Sequence, residues 1–333
     1  MLEKIYDNIT IKPIVVQIAY SGKRLDWVLS ELLPQFSRSQ IKRWIINKKV
    51  VINNQISVLP KKKVISGEII EINDINNDST SDCNNNILIP QNISLNIVYE
   101  DNDILVINKP SNMVVHPGVK NNKDTVLNAL LYRYPSIMQI SKQAGIVQRL
   151  DKDTTGLMII AKTYLAYTNL LQSFKMKQVI KEYDAVVCGT FSYNAGIISQ
   201  PIRRHSINRT CMTVHPHGKP AVTRYSVVES FGRTYSRIRV YLETGRTHQI
   251  RVHMAYINHP VVGDVKYGIK FKNSTTGKLS ISDDVSICLS SFNRQALHAC
   301  KLQLVHPITR LKMHWIVPLP EDMLKLVTVL KKM

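Results

Sequence analysis

The chain has 333 residues, 44 % of them hydrophobic, and carries 44 Lys and Arg against 24 Asp and Glu, a formal charge of +20 at pH 7. That length and apolar content exclude disorder throughout and suit one large domain with a smaller one. The charge points to a polyanionic partner, RNA or DNA before an anionic membrane. Cys83, Cys188, Cys211, Cys288 and Cys300 are odd in number, far apart and free of Cys-x-x-Cys spacing, which argues against a disulfide framework or zinc ribbon and fits a reducing cytosol. Glu3, Lys4, Asp7 and Lys12 interrupt the apolar positions of the first 21 residues, and no later run approaches membrane-spanning length, so a soluble, cytoplasmic protein with no membrane partner is expected.

After an N-terminal extension, 1–20, the first expected unit is a small domain over 21–74. Leu25, Val28, Leu29, Leu32 and Leu33 fall on one face of a helix. Ser37 and Gln40 offer a capping box for a second helix, with Ile41, Trp44 and Ile45 facing inward. Val50-Val51-Ile52, a turn at Asn53-Asn54 and the alternating Gly67 to Ile72 then read as strands. Between Lys23 and Lys63 the cations include Arg24, Arg38, Lys42, Arg43, Lys48 and Lys49, against only Asp26 and Glu31 as acids. The spacing of Arg38, Lys42 and Arg43 sets cations one turn apart on an exposed helix face, suited to a nucleic-acid backbone.

A segment over 75–93, rich in Asn, Asp and Ser, reads as a linker. The rest, 94–330, is expected to be an α+β domain built on one mostly antiparallel sheet. Its expected elements are strands around an acidic turn between Asn96 and Asn108, a helix near Val126 to Tyr132, and a strand over Leu157 to Ala161. A helix over Tyr164 to Lys175 follows, then strands near Glu182 to Cys188, Ala221 to Ser230, Ser236 to Leu242 and His298 to Val305. Lys270 to Ser290 reads as a surface loop.

Three segments of this domain gather useful chemistry. Arg149-Leu150-Asp151 precedes a Thr-Thr-Gly turn and a strand apolar enough to be covered on both faces. An aspartate in that place is ordinarily a turn or cap residue. In the second segment Lys181, Tyr183, Ala185 and Val187 share a strand face, and Tyr183 offers a ring for stacking and a polar tip. The third runs from Thr244 to Ala255. Thr247 is the expected N-cap, and Arg246 and Arg251, about 140° apart on a helix, address different groups. Arg251, beside the inward-facing Ile250, demands an acid partner, for which Asp151 is the candidate. An arginine so bonded orients a carboxylate and favours its nucleophilic form, which suits chemistry on a nucleoside flipped out of an RNA stack. Cys211, His215 and His217 lack a fourth ligand for zinc, and no phosphate-binding glycine fingerprint occurs. His248, His253 and His259 are left as RNA contacts or helix caps.

These motifs resemble known families along nearly the whole chain. Arg24-Leu25-Asp26-x-x-Leu29 with Ser37-Arg38-Ser39-x-Ile41 and Val50-x-Ile52-Asn53 resembles the S4 RNA-binding domain. Asn108-Lys109-Pro110, Arg149 to Gly156, the Lys181/Tyr183 strand, Thr244 to His253, His259-Pro260-x-Val262-Gly263-Asp264 and Arg294 to Ala299 together resemble the RNA pseudouridine synthases, close to those of the bacterial large ribosomal subunit. The resemblance implies a cofactor- and metal-free isomerase, expected to be monomeric, acting on the helix 69 stem-loop of 23S rRNA or on a large-subunit precursor. It also implies that Asp151 is the nucleophile, that Tyr183 stacks on the base and assists loss of the C5 proton, and that Arg251 pairs with Asp151. Leu297 is expected to line the uracil pocket, and Arg149 to replace the flipped base or bind its phosphate, with Lys181 also on the RNA side. Gln148 stands where the family usually has His, and activity is expected to survive the change. The competing readings are a non-catalytic S4-domain RNA-binding or ribosome-assembly protein, and an RNA glycosidase or nuclease using Asp151 and Asp153, for which no second acid has a clear role.

Overall fold

A computed structural model describes residues 13–33, 36, 38–73, 88–118, 121, 123–141, 143–268 and 283–333. Contacts divide the chain into two units, residues 1–86 and 87–333. In the first, β1 (Ile14–Val15) precedes α1 (Leu25–Leu32) and α2 (Arg38–Ile46), then β2 (Val50–Ile52), β3 (Gln55–Ile56) and β4 (Ile69–Ile72). The strands form an antiparallel sheet in the order β1-β4-β2-β3. Leu25, Val28 and Leu29 from α1 meet Ile41, Trp44 and Ile45 from α2 over Val50, Ile52 and Ile70, so the apolar periodicity closes one small core. Val16, also buried, and the β1 pairing bring part of the expected N-terminal extension into this unit. The capping residue expected at Ser37, position 74 and positions 75–87 of the Asn-rich segment lie outside the described residues. From Leu88 on, that segment belongs to the second unit: Leu88 packs on its core and the Gln91 amide donates to Asn128 O.

The second unit is built on β5 (Ile97–Glu100), β6 (Ile104–Lys109), α3 (Val126–Arg133), β7 (Thr155–Ala161), α4 (Tyr164–Lys175) and β8 (Ile180–Cys188). It continues through β9 (Ala195–Ser199), β10 (Ile202–Arg204), β11 (Met212–Val214), β12 (Val222–Phe231), β13 (Tyr235–Leu242) and α5 (Gln249–Tyr256). The last elements are α6 (Asp283–Ser291), β14 (Leu297–Val305), β15 (Lys312–Ile316) and α7 (Glu321–Leu330). The main sheet runs β5-β6-β7-β14-β8-β13-β12-β9, with β15 added on β14. Its pairings are antiparallel except β14 with β7.

The two-residue period sorts the central strands onto two cores. Leu105, Ile107, Met158 and Ile160 enter the core that also holds residues of α3 and α7, whereas Ile104, Val106, Leu157 and Ile159 join the core that holds Ala166 and Leu170 of α4. Every residue of β7 is therefore buried, which accounts for its unbroken apolar run. Thr125 closes a reciprocal capping box with Asn128 at the start of α3, and the Thr163 side chain caps α4 by accepting from the Ala166 amide. Residues 283–290, read as loop, lie in α6, because Val285, Cys288 and Leu289 form a short apolar stripe against the second unit's core.

Candidate active site

The loop before β7 is held by its backbone. The Thr154 amide donates to Asp151 O at 3.1 Å, so the turn uses the main-chain carbonyl of Asp151 and leaves the carboxylate to other partners. Lys109, fully buried, donates through Nζ to Lys152 O at 2.9 Å and also to Pro110 O and Met113 O. Burial pulls its pKa down to about 7, offset in part by Asp153 and Asp151. Arg294 donates to Asp153 O at 3.2 Å, and Gln295 Nε2 to Thr154 Oγ1 at 3.0 Å. Gly156, at φ +115°, ends the turn where any Cβ would strike the Ala299 backbone.

The opposing wall is the start of α5. Its N-cap is His248, in the left-handed region at φ 55° with no side-chain cap, and not Thr247 as expected. Thr247 Oγ1 instead accepts from Arg149 Nη2 at 3.2 Å. The entry to the helix is braced from within. Gln249 Oε1 accepts from Thr244 Oγ1 and the Arg246 amide, while its Nε2 donates to Val222 O and Thr223 Oγ1.

Arg251 then reaches inward. Its Nη1 donates to Asp151 Oδ2 at 2.8 Å, while Nε and Nη2 donate to the two oxygens of Asp264 at 2.6 and 2.7 Å. Burial disfavours the guanidinium charge, but the hydrogen bonds and charge of Asp264, joined by Asp151, outweigh it and raise the pKa above the usual arginine value. The motif spacing alone does not assign Asp264 to this pair. The signal for Asp264 was present as the last residue of His259-Pro260-x-Val262-Gly263-Asp264, and a second acid was implied by the depth of Arg251. Arg246 points elsewhere and donates through Nε to Pro220 O.

Between the loop and α5 lies a cavity of 460 Å³, lined by Arg149, Asp151, Lys181, Tyr183, Arg251 and Leu297 among others. The six residues singled out around the second-unit site are thus brought together. Burial, then the Asp151 carboxylate, push the Tyr183 phenol above the usual tyrosine pKa, so it stays protonated in the resting site. That state suits stacking and hydrogen-bond donation. Burial also lowers the Lys181 pKa, and its Nζ stands 5.5 Å from the Phe174 ring centre. Gln148 lines the same cavity. His253 and His259 are structural. His253 is buried and bonded to Thr223 Oγ1 and Gln200 O, and His259 to Cys188 O while stacked on Phe191. Among the described residues no group of three or more His, Cys, Asp or Glu is placed to hold a metal.

In the small unit, Lys42 and Arg43 lie exposed on α2. Arg24 and Arg38 are tied to an internal partner. Arg24 Nη2 meets Asp26 Oδ2 at 2.7 Å, and Arg38 Nη2 meets Asp26 Oδ1 at 3.0 Å. Asp26 is 3 % exposed. Burial alone would raise its pKa, and the two guanidinium hydrogen bonds reverse that and lower it.

The family described as RNA pseudouridylate synthase matches residues 103–256, and the S4 domain family matches residues 23–70. A relative named ribosomal large subunit pseudouridine synthase D from Blochmanniella floridana is 64 % identical over 324 residues, covering 97 % of this chain and 99 % of its own. Its namesake from Pasteurella multocida is 50 % identical over 317 residues, 95 % of this chain and 94 % of its own. That from Escherichia coli (strain K12) is 48 % identical over 311 residues, 93 % and 91 % of the two chains. Of solved structures, human RNA pseudouridylate synthase domain containing 1 superposes with a TM-score of 0.51 at 26 % identity, over 72 % of this chain and 96 % of its own. Human RNA pseudouridylate synthase domain containing 4, at 24 % identity and a TM-score of 0.53 over 71 % and 92 %, shares the fold.

Proposed function

The chain belongs to the ribosomal large subunit pseudouridine synthase D family, an S4-domain RNA pseudouridine synthase, and from that premise we propose that Asp151 is the nucleophile that isomerises uridines of the helix 69 stem-loop of 23S rRNA. The observation that carries the assignment is the Asp151 carboxylate itself. One oxygen is held by Arg251, and the group faces a cavity bounded by Tyr183 and Leu297.

A uridine flipped into that cavity places its ring against Tyr183 and Leu297. Asp151 attacks C1′, and the electrons of the N1–C1′ bond leave with the uracil. After the ring turns, C5 attacks C1′ and expels Asp151. Loss of the C5 proton and gain of one at N1 leave the composition unchanged. We assign Tyr183 to stacking on the base and to assisting loss of the C5 proton, from its place in the cavity beside Asp151. Arg149, exposed at the rim, and Lys181 take RNA phosphates near the extruded nucleotide, and Lys42 and Arg43 extend the electrostatic contact. No step requires a cofactor or metal. We place this activity in the cytoplasm, carried out by a monomer during maturation of the large ribosomal subunit.

The test is incubation of the purified protein with a 23S rRNA transcript and with immature subunits, followed by carbodiimide-based mapping of pseudouridine, with Asp151→Ala in parallel. Stops in helix 69 made by the wild type and absent with the variant are expected. Stops made equally by Asp151→Ala would remove Asp151 from the mechanism, and stops confined to other RNA would reassign the substrate.

A further inference from the structure

A second polar chain approaches the oxygen of Asp151 that Arg251 does not hold. The β10–β11 hairpin carries Arg203, Arg204 and Arg209 and packs against α5. The Met212 amide of that hairpin donates to Tyr267 Oη at 2.7 Å, and the same oxygen lies 2.7 Å from His248 Nδ1. Tyr267 Oη accepts the amide hydrogen and can give its own hydrogen to Nδ1. That bond needs the Nδ1 lone pair and leaves the imidazole proton on Nε2. Nε2 faces Asp151 Oδ1, the oxygen not bonded to Arg251, at 3.9 Å. This exceeds a hydrogen bond, and the gap is of the size that closes when substrate completes a site.

Tyr267 is itself fixed. Its amide donates to Asp264 Oδ1 at 3.2 Å, and the Arg251 guanidinium lies 5.1 Å from its ring centre. The left-handed backbone of His248 is a further mark of constraint, since a non-glycine residue adopts φ 55° at some energetic cost.

We propose that Tyr267 and His248 form a positioning relay, Met212 amide to Tyr267 hydroxyl to His248 imidazole, which links the seat of the basic β10–β11 hairpin to the orientation of the Asp151 carboxylate. The inference rests on the reading of Asp151 as the nucleophile. RNA drawn to the hairpin's arginines presses on Met212, and the relay brings the His248 Nε2–H onto Oδ1. Both carboxylate oxygens are then held, one by Arg251 and one by His248, and the attacking lone pair is aimed. The groups facing the imidazole are Asp151, Arg251, Asp264, Lys266 and Tyr267, and burial among them keeps it neutral by lowering its pKa.

The experiment measures single-turnover rate and RNA affinity for the wild type, Tyr267→Phe, His248→Ala, His248→Gln and Asp151→Ala. Loss of an orienting partner typically costs about 10- to 100-fold in activity, and a fall of that order is expected for Tyr267→Phe and His248→Ala at unchanged RNA affinity. His248→Gln, whose amide nitrogen replaces Nε2–H without titrating, recovers most of the rate. Tyr267→Phe also removes the donor to Nδ1, so its rate gains a decline towards acid pH that the wild type lacks. Wild-type rates in both Tyr267→Phe and His248→Ala, with Asp151→Ala inactive, overturn the relay alone. An active Asp151→Ala overturns the nucleophile assignment beneath it. If Tyr267→Phe does not fold, the Ala and Gln variants at His248 decide the question: equal rates in the two refute the relay.

Discussion

Arg251 and Asp264 form a buried ion pair with two hydrogen bonds, Nε to Oδ2 at 2.6 Å and Nη2 to Oδ1 at 2.7 Å, leaving Nη1 to meet Asp151 at 2.8 Å. The guanidinium is planar, so fixing two of its nitrogens fixes the third. Asp264 therefore aims the group that aims the nucleophile.

Asp264→Ala leaves a buried guanidinium with one carboxylate instead of two, and breaking a buried pair costs about 3–5 kcal/mol. A large drop in unfolding midpoint is expected. Asp264→Asn keeps one acceptor and the shape, and is expected to fold while losing about 10- to 100-fold in rate. Full activity in the Asn variant would show that Arg251 is positioned without Asp264.

Gly156 allows the Asp151 loop to enter β7. At φ +115°, an added Cβ would lie 2.3 Å from Ala299 O and 2.5 Å from Ala299 N, both backbone atoms of β14. The parallel pairing of Ala299 with Gly156 cannot shift without moving β14. Gly156→Ala is expected to destabilise the second unit by about 2–4 kcal/mol, from strain and overpacking combined. Chemical denaturation measures this directly, and a change below about 1 kcal/mol, the centre of the distribution for point substitutions, would mean that the strand gives way easily.

His298 makes stability sensitive to acid. Burial drives its pKa from 6.5 down to about 4, and its Nδ1 lies 2.8 Å from Thr155 Oγ1. The unfolded chain binds the proton first, so stability is complete above about pH 6.5 and falls as pH drops towards 4. The shift corresponds to about 3 kcal/mol over that window. His298→Asn retains a polar group near Thr155 and does not titrate, so its unfolding midpoint should vary less between pH 6.5 and 4. Parallel pH dependences in the two proteins would assign acid lability to other groups.

Lys42 and Arg43 stand exposed on α2, whereas Arg24 and Arg38 are bonded to Asp26. Replacing Lys42 and Arg43 by Gln is expected to weaken RNA binding and to reduce the slope of log affinity against log salt by about 0.7–0.9 per lost phosphate contact. Filter binding at several salt concentrations reads that slope. An unchanged slope would return both residues to solvent.

The local patterns were legible because local forces set them. The α4 boundaries, the paired apolar faces of α1 and α2, and the doubly covered β7 follow from side-chain periodicity over a few residues. Asp151 is different: its local pattern is that of a turn or cap residue, and only the other segments of the chain, above all Arg251, mark it out. The start of α5 was misread at Thr247 because capping propensity is weak beside the internal brace that Gln249 supplies. Nor does any periodicity mark Lys109 beneath Lys152, Asp264 behind Arg251, or Tyr267 between Met212 and His248. Sequence alone determined which residue types and which strand and helix faces were available. The tertiary structure decided which of them meet, because burying a charge or a polar atom forces it to find a partner wherever the fold brings one within about 3 Å.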